Sequence, residues 1–390
     1  MKKIVYIGVT LVLVALGAAW YFLSMEKSDI AALPVYFTYT PEEIQTFKNL
    51  SSYRAITVDD VYAFDQVAFD LVAKYTKHKE FATEVSKIYA YLALAQREVA
   101  FLSYNAKGAF EGSVNPVSKK VLCIFFQADC ASISSYGEED EYVQAIDVLV
   151  MSKIEKRIAE DAAGLKAYPI KAGKEYWDGS QPSVGLTEGK SKGWFIASGD
   201  QFRVPPPPAF ESKEFKDQLV ITREALKNAT LEQKRATVFW AGGPGTKTPP
   251  GQLLSLGDEY MQTKNIPLSK VLLVRSVLTA AVADAVTAVF DSKYTYLVKR
   301  PFMMDPSLIT IMPTPNHPSY PAGHSTLSAA GTTVLEHYFP EDKKMWQEKA
   351  YEAGMSRIWG GIHYMMDHEA GVTLGRKVAE SAIQGTVWQE

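Results

Sequence analysis

The chain has 390 residues, of which 47% are hydrophobic and 22% are charged, which is enough for a sizeable core in one large domain or two ordinary ones. Its formal net charge of −3 gives no basic excess of the kind that indicates a nucleic-acid partner, so an anion site has to come from local clustering of cations. No internal repeat or low-complexity tract stands out.

The first predicted element is an uncharged run from Ile4 to Leu23 that follows two lysines. Twenty such residues can span a bilayer, and the lysines should stay cytoplasmic, which places the rest of the chain outside the cytoplasm. A small-residue segment at 17–19 offers a cleavage site, but the apolar run continues past it. We predict a signal anchor over residues 1–25, with a cleaved signal peptide or a buried helix as alternatives. The protein is then extracytoplasmic, and either membrane-anchored or secreted.

Most of the remaining chain has apolar residues at the three- and four-residue spacing of amphipathic helices, and strand signals are weak. This pattern predicts an all-α protein. The segment 266–290 is largely apolar, which predicts a helix at the centre of a bundle. The predicted helices cover residues 59–76, 81–104, 138–165, 213–242, 266–290, 325–339, 345–359 and about 363–388.

Two stretches lack the helical pattern. Residues 166–212 are rich in Gly, Pro and Ser, and predict a long connector that lies over the surface of the helices. Residues 240–252 predict a second loop, and long ordered loops in a helical protein often carry function. The predicted organisation is an anchor or signal peptide at 1–25, an N-terminal helical region at 26–165, the connector at 166–212 and a C-terminal helical domain at 213–390.

Cys123 and Cys130 are the two cysteines of the chain. A disulfide between them is plausible in an exported protein, and two buried free thiols are the alternative. Their spacing matches no common metal site and no histidine lies nearby, so we exclude a zinc site there.

The candidate chemistry begins with two polar stretches. In "KYTYLVKRP", Lys293 and Arg300 are seven residues apart, close to two helical turns, so both cations can project from one helix face. In "PSYPAGHS", Gly323 precedes a helix start, where an anion can approach backbone N–H groups at the positive end of the helix dipole, and His324 follows it.

A third stretch, "SRIWGGIHYMMD", contributes Arg357, His363 and Asp367. The last two are four residues apart, so the carboxylate can orient the imidazole and raise its basicity. A glycine pair at 360–361 allows the helix break that brings Arg357 to the same pocket. Three cations and a helix N-terminus suit a tetrahedral oxyanion, and two histidines suit an in-line displacement.

Lys-x6-Arg-Pro, then Pro-x-Gly-His, then Ser-Arg-x5-His-x3-Asp resembles the signature of the type 2 phosphatidic acid phosphatase and vanadium-dependent haloperoxidase superfamily. The likeness extends upstream through "FWAGGPGTKTPPGQ" and the Pro-rich connector, where it resembles the bacterial haloperoxidase-related branch, and covers about residues 90–390. It implies the all-α helical bundle of that superfamily, here with an N-terminal helical extension and a membrane anchor.

The resemblance implies which residues hold the oxyanion. Lys293, Arg300, Arg357 and the backbone N–H of Gly323 would bind the oxygens of phosphate or vanadate. This chain departs from the family pattern Pro-Ser-Gly-His in having Ala322 in place of the serine. The missing hydroxyl removes a hydrogen bond to a charged oxygen, at about 1.5–3 kcal/mol.

The resemblance also implies the catalytic roles. His363 would be the phosphoryl-accepting nucleophile, or the histidine bonded to vanadium, and Asp367 would orient it. His324 would be the acid–base residue on the opposite apical side. His317 would line the halide side of the pocket, as in algal bromoperoxidases, with a loop histidine bonded to local backbone as its ordinary alternative.

Two enzymatic functions are compatible with these residues. A haloperoxidase would keep vanadate as its cofactor and would use peroxide and halide as small-molecule substrates. A phosphatase would need no cofactor and would hydrolyse a phosphate ester through a phosphohistidine. A catalytically silent oxyanion-binding protein is the third hypothesis, supported only by Ala322. We favour the haloperoxidase, with no nucleic-acid partner and with the membrane as partner of the N-terminal segment.

Overall fold

The computed structural model describes residues 36–77, 83–134 and 140–386. Helices dominate these ranges, whose only extended pairings are two isolated β-bridges, so the all-α prediction is confirmed. The predicted anchor at residues 1–25 lies outside the described residues. The α-helices are α1 (Pro41–Lys48), α2 (Val58–Thr76), α3 (Val85–Lys107), α4 (Asn115–Phe125), α5 (Glu141–Gly164), α6 (Lys213–Lys227), α7 (Leu231–Phe239), α8 (Thr248–Thr263), α9 (Leu268–Tyr296), α10 (Pro301–Met304), α11 (Gly323–Tyr338), α12 (Lys343–Trp359) and α13 (Met365–Thr386).

Helix α9 is the centre of the bundle. Apart from a few charged residues, its side chains are small or apolar on every side, so it has to be covered all round, and it packs against α3, α11 and α13. By length and composition it is the one helix of the described ranges that would cross a membrane, but its most apolar part is completely buried in the protein. It ends six residues later than predicted, which places Lys293 inside its last turn.

A buried ion pair attaches the N-terminal helices to this core. The Arg275 guanidinium of α9 donates to both carboxylate oxygens of Asp65 in α2, at 2.9 and 2.7 Å. It also lies 2.6 Å from Asp258 Oδ1 in α8. Removing either partner of such a buried pair leaves a charge without compensation, so the contact fixes how α2 and α8 sit on α9.

The single helix predicted over 213–242 is wrong, because two helices cover this stretch. Helix α6 ends at Lys227 and α7 begins at Leu231. Thr230 starts the second helix with a capping box: its hydroxyl accepts the Gln233 N–H at 3.2 Å, and the Gln233 side chain accepts the Thr230 N–H at 2.9 Å. The break gives α7 its own orientation against α12.

The predicted loop at 240–252 is also too long, because α8 begins at Thr248. Two prolines occupy its first turn, where their missing N–H groups cost nothing. Prolines favour a loop by composition, but the first turn of a helix accommodates them equally well.

The connector at 166–212 has no α-helix, as predicted, but it is partly buried rather than only superficial. Asp284 of α9 accepts the backbone N–H groups of Trp194 and Phe195 at 2.8 and 2.7 Å. Asp291, two turns further along the same helix, accepts Arg203 Nε–H at 2.7 Å. Two carboxylates of the core helix therefore hold the connector in place.

Cys123 and Cys130 form a disulfide, with their Cα atoms 4.8 Å apart. Of the two alternatives that the sequence allowed, the structure has the bridge. It closes the end of α4 onto the short 3₁₀ turn that follows, Gln127–Ser132.

Candidate active site

The predicted site residues meet at one end of the bundle, near the C-terminal end of α9. They come from five helix ends and from the loop before α11, so several parts of the core position them. These residues are Lys293 in the last turn of α9, Arg300 before α10, His317, Gly323 and His324 at the start of α11, Arg357 in the last turn of α12, and His363 and Asp367 at the start of α13.

Lys293 and Arg300 do not share a helix face, contrary to the spacing argument. Helix α9 ends at Tyr296, and Leu297 adopts a left-handed conformation with φ of 54°, which turns the chain sharply. Arg300 then precedes α10 in an extended conformation. The two cations lie in one cluster because of this turn and not because of helical periodicity.

His363 and Asp367 form the contact that their spacing predicts. His363 Nδ1 lies 2.8 Å from Asp367 Oδ2, and both side chains are buried. The carboxylate also accepts the Tyr364 N–H at 3.1 Å. Because Nδ1 faces a carboxylate oxygen, we assign its proton to Nδ1, which leaves the lone pair of His363 on Nε2. His363 itself precedes α13, so a loop and not a helix turn brings the two side chains together.

Ser319 belongs to this contact, although the sequence reasoning missed it. Its hydroxyl donates to Asp367 Oδ2 at 2.5 Å and lies 3.3 Å from His363 Nδ1. It is completely buried. Its place in the "HPSYPAGH" stretch, between His317 and His324, is a signal that could have identified it.

Arg300 connects two of the histidines. Its Nη1 lies 3.1 Å from His363 Nε2, and its Nη2 lies 3.0 Å from His317 Nδ1. Arginine can only donate, so His363 Nε2 is the acceptor. His317 Nδ1 also lies 3.2 Å from the Pro318 carbonyl, and we assign it as the acceptor of the shorter Arg300 contact. Arg300 also donates to the His317 and Ile362 carbonyls at 3.0 and 2.9 Å. The guanidinium therefore fixes the positions of both imidazoles.

Lys293 holds the turn that precedes α11. Its Nζ donates to three carbonyl oxygens, those of Pro318, Ser319 and Pro321, at 2.9, 2.7 and 2.6 Å. Burial lowers the pKa of Lys293 well below its usual value, and the neighbouring Arg300 lowers it further. Three acceptors nevertheless match the three hydrogens of an ammonium group, so we assign the charged form.

Arg357 has more N–H groups than it has strong acceptors among its contacts. It donates to Ser356 Oγ at 2.9 Å and to the Thr237 carbonyl at 2.7 Å. Its third contact, at 3.0 Å, is the Met312 thioether, which is a weak acceptor. A guanidinium has five N–H groups, so Arg357 can donate to an anion without giving up a strong partner.

The start of α11 supplies a further set of donors. Ala322 occupies the cap position, and no side chain among the described residues caps the helix. A Cβ added at Gly323 would meet no atom within 4 Å, so the space beside this backbone is open. The first N–H groups of a helix have no partner within the helix, and they attract anions.

His324 is tied to the segment that follows α7. Its Nε2 lies 2.7 Å from the Trp240 carbonyl, which can only accept, so the proton is on Nε2. The Trp240 indole in turn donates to Glu352 at 2.8 Å. Nδ1 of His324 has no hydrogen-bond partner within the described part of the chain, which makes it the nitrogen that can exchange a proton.

His317 packs in the same cluster, half-buried against Phe290 with ring centroids 5.3 Å apart. It contacts Arg300 through Nδ1 and is not held by local backbone alone. Its assignment to a halide side of the pocket stays a prediction.

The remaining histidines lie apart from this chemistry. His337 is exposed in the last turn of α11. His368 is buried, with Nδ1 2.9 Å from Ser325 Oγ. His78 falls outside the described residues.

The charge balance of the cluster is strongly positive. Burial lowers the pKa of Arg300 to about 10 and that of Arg357 to about 9, so both stay charged near neutral pH. Burial, reinforced by the nearby cations, lowers the pKa of His363 well below its usual value, so the imidazole is neutral. One carboxylate, Asp367, faces three cations. The cluster therefore has the donors and the charge to bind an oxyanion, and His363 Nε2 has the lone pair to bond its central atom.

The Asp367 carboxyl predicts a pH dependence. Burial raises its pKa to about 6, although the Ser319 hydroxyl and the Tyr364 N–H favour the ionised form. The ionised form is the one that accepts the His363 proton, so activity should rise as the pH passes through about 6. The pH profile of kcat/KM measures this, and Asp367→Asn should remove the limb because an amide does not titrate there.

The same pKa shift has the opposite effect on stability. A carboxyl whose folded pKa is raised stabilises the fold fully below its unfolded pKa of about 3.9, and this contribution is lost as the pH rises through the folded pKa. Between about pH 4 and about pH 6 the free energy of unfolding of the wild type should therefore fall relative to that of Asp367→Asn. A constant difference across this window would contradict the assignment.

Comparison with known sequences gives a family match in the region of the site. Residues 272–387 match the PAP2 superfamily. The chain is 30% identical over 142 residues to an undecaprenyl-diphosphatase of Sulfolobus acidocaldarius, which covers 34% of this chain and 66% of that protein. It is 26% identical over 122 residues to the bacitracin transport permease protein BcrC of Bacillus licheniformis, which covers 31% and 59%. The chain therefore spans less than two thirds of the length of these curated relatives.

Solved structures match over most of the chain. The first bacterial vanadium-dependent iodoperoxidase is similar with a TM-score of 0.70 and 19% identity, over 87% of this chain and 100% of that one. A holo-type bacterial vanadium-dependent chloroperoxidase is similar with a TM-score of 0.61 and 13% identity, over 81% and 92%. At these identities the likeness establishes the fold, which extends through the N-terminal helices and the connector.

Proposed function

Residues 272–387 match the PAP2 superfamily, and on that premise we propose that this chain is a vanadium-dependent haloperoxidase-like enzyme. It oxidises halide with hydrogen peroxide at a vanadate ion held by His363. The observation that carries this proposal is the cluster itself: three buried cations and the start of α11 surround the neutral imidazole of His363, whose Nε2 carries the lone pair and faces the Arg300 guanidinium.

The residues present fit vanadate. His363 Nε2 would be the ligand, Arg300, Arg357 and the N–H of Gly323 would bind its oxygens, and Lys293 would add charge while it holds the turn. When bound, vanadate activates peroxide as a Lewis acid, without changing its own redox state. In the net reaction halide gives two electrons to the peroxide O–O bond, and one proton is consumed as hypohalous acid and water form.

His324 would be the general acid and base in this scheme. Its Nε2–H stays on the Trp240 carbonyl, so Nδ1 is the atom that accepts a proton from peroxide and returns it to the departing water. Burial and the Arg357 charge lower the pKa of His324 well below its usual value, which keeps the imidazole neutral and its Nδ1 unprotonated. His317, half-buried beside Arg300, would line the halide side of the same space.

A phosphatase of the same superfamily is the second candidate, because the undecaprenyl-diphosphatase relative is 30% identical over the matched region. Here His363 Nε2 would attack the phosphorus of a phosphomonoester, and His324 would protonate the leaving alcohol. The likeness to haloperoxidase structures over 87% of the chain, through the connector that packs on α9, favours the first candidate. In either case we place the enzyme outside the cytoplasm, anchored by or released from its N-terminal segment.

One preparation distinguishes the two functions. It is assayed for p-nitrophenyl phosphate hydrolysis and for peroxide-dependent oxidation of iodide and bromide, each with and without vanadate. Vanadate resembles the phosphoryl-transfer transition state and should bind in both cases, so its effect on activity decides. We expect halide oxidation only with vanadate, and competition by excess phosphate. His363→Ala measures the background that free vanadate contributes.

Phosphate ester hydrolysis that vanadate only inhibits, with no halide oxidation above that background, would overturn the haloperoxidase and favour the phosphatase. If neither assay responds and vanadate does not bind, the silent oxyanion-binding protein is the remaining hypothesis.

A further inference from the structure

Helix α7 has its apolar side chains on the outside. Leu231, Val238 and Phe239 are 66%, 63% and 58% exposed, whereas the inward-facing Thr237 is completely buried. An amphipathic helix of a globular protein normally shows the reverse arrangement. Within the ranges that the structure describes, no other element therefore covers the outer face of α7, although its apolar composition is that of a contact surface.

The exposed face combines these apolar residues with basic ones. Leu231 and Val238 are seven residues apart, which is two helical turns, so they project on the same side. Lys234 and Arg235 lie between them and are exposed as well, and one exposed acid, Glu232, lies at the edge beside Phe239. We call Leu231, Lys234, Arg235, Val238 and Phe239 the α7 face.

The inner side of the same helix holds the candidate site. The Thr237 carbonyl accepts Arg357 Nη2–H at 2.7 Å, and the Thr237 hydroxyl donates to the Ser356 carbonyl at 3.0 Å. Phe239 packs edge-on against Trp240, whose carbonyl accepts His324 Nε2–H. The α7 face is thus about one helix diameter, roughly 10 Å, from two residues of the site.

We propose that the α7 face rests on the surface of a lipid bilayer that contains anionic lipids, and so holds the side of the site formed by His324 and Arg357 close to the membrane. A helix with apolar side chains beside lysine and arginine is the composition that lies in a bilayer interface. Each basic residue near an anionic surface adds about a fivefold preference for it.

The N-terminal sequence gives a separate reason to expect this protein near a bilayer. The uncharged run Ile4–Leu23 is long enough to span one. Twelve residues separate this run from Tyr36, and they reach at most about 40 Å. Tyr36 packs against Trp194, and the Trp194 backbone N–H donates to Asp284 of α9. Asp284 precedes Lys293 of the candidate site by nine residues, which is about 14 Å along the helix. The tether is therefore long enough for the α7 face to meet the same membrane.

A second copy of the chain is a weaker occupant for this face. Helix α7 has nine residues, so it is about 14 Å long and 10 Å wide, and offers no more than a few hundred Å². A stable protein interface needs about 800 Å² from each partner. Insertion of three side chains into a bilayer interface needs no such area.

The test measures lipid contact and is independent of any enzymatic activity. Val238→Cys in the full chain is labelled with an environment-sensitive fluorophore and reconstituted into vesicles that carry spin-labelled lipids. The native cysteines are paired, so the new thiol is the only reactive one among the described residues. The matched control is Val148→Cys on α5, which is 65% exposed against 63% for Val238. Both variants keep the same N-terminal segment.

We expect spin-labelled lipid to quench the label at position 238 several-fold more than the label at position 148. Quenching should be stronger in vesicles with phosphatidylglycerol than in phosphatidylcholine alone, and Lys234→Glu with Arg235→Glu should remove this difference. Equal quenching at both positions would overturn the proposal. So would lipid-independent disulfide crosslinking between two molecules of the unlabelled Val238→Cys variant, which would identify the face as a contact between copies.

Discussion

His363→Ala should abolish turnover, whichever chemistry the protein performs. The substitution removes Nε2, the only nitrogen in the cluster whose lone pair is set by a carboxylate partner, and with it the bond to vanadium or phosphorus. Loss of a nucleophile or of the sole metal ligand should lower kcat by at least about a thousandfold. The expected result is activity at the background level of free vanadate, or no hydrolysis, in a protein that still unfolds cooperatively.

Two comparison variants sharpen this result. His337→Ala removes an exposed histidine at the other end of α11 and should keep wild-type activity. Asp367→Asn should lose less than His363→Ala, because it disturbs the orientation and basicity of the imidazole but leaves Nε2 in place. Wild-type turnover in His363→Ala would show that the assignment of the site is wrong.

Arg300→Ala should weaken oxyanion binding more than Arg357→Ala does. A charge-assisted hydrogen bond is worth about 1.5–3 kcal/mol, so loss of the anion contact alone weakens binding by roughly tenfold or more in each variant. Arg300 in addition fixes His363 Nε2 and His317 Nδ1, at 3.1 and 3.0 Å. Without it both imidazoles lose a donor, so the effect on binding and on kcat should be the larger one.

The measurement is a vanadate titration followed by tryptophan fluorescence or calorimetry, with phosphate as competitor. Arg300→Lys is the control that keeps the charge but loses the planar fork of donors, and it should lie between the wild type and Arg300→Ala. If Arg357→Ala binds vanadate more weakly than Arg300→Ala, then Arg300 serves mainly to support the fold.

The motif residues could be predicted from the sequence because their types and order are specific, but the reasons for their proximity could not. Lys293 and Arg300 have a spacing that fits one helix face, yet Leu297 turns the chain between them with a positive φ. Leucine rarely adopts that conformation, so no residue type signals the turn. Thr230 and Gln233, by contrast, are a visible capping box, and attention to it would have placed the break between α6 and α7.

The burial of the connector is a different kind of failure. Its Gly and Pro content predicts the absence of helix correctly, but composition does not indicate which of its backbone and side-chain donors find buried acceptors. The acceptors are Asp284 and Asp291, two acidic residues in a helix that is otherwise largely apolar. A carboxylate in such a helix must find donors, so these two residues indicate docking points for a loop. The roles of Ser319 and Trp240 could not be predicted for a similar reason. Ser319 acts through its hydroxyl and Trp240 through its backbone carbonyl, and only the fold brings these groups to Asp367 and His324.

The three carbonyls that surround Lys293 bear on how the site acquires and gives up its anion. The turn before α11 is shaped by a resident cation of the protein, through bonds to Pro318, Ser319 and Pro321, and so does not need a guest ion to form. Because the turn is formed before the anion binds, dissociation of the anion should change the structure of the site little. Vanadate and phosphate should then compete for the site at a ratio set by their concentrations and intrinsic affinities. The turn should not have to refold when one anion replaces the other. The concentrations of the two anions in the surrounding solution would then decide which anion the protein binds, and not the anion that was present when the chain folded.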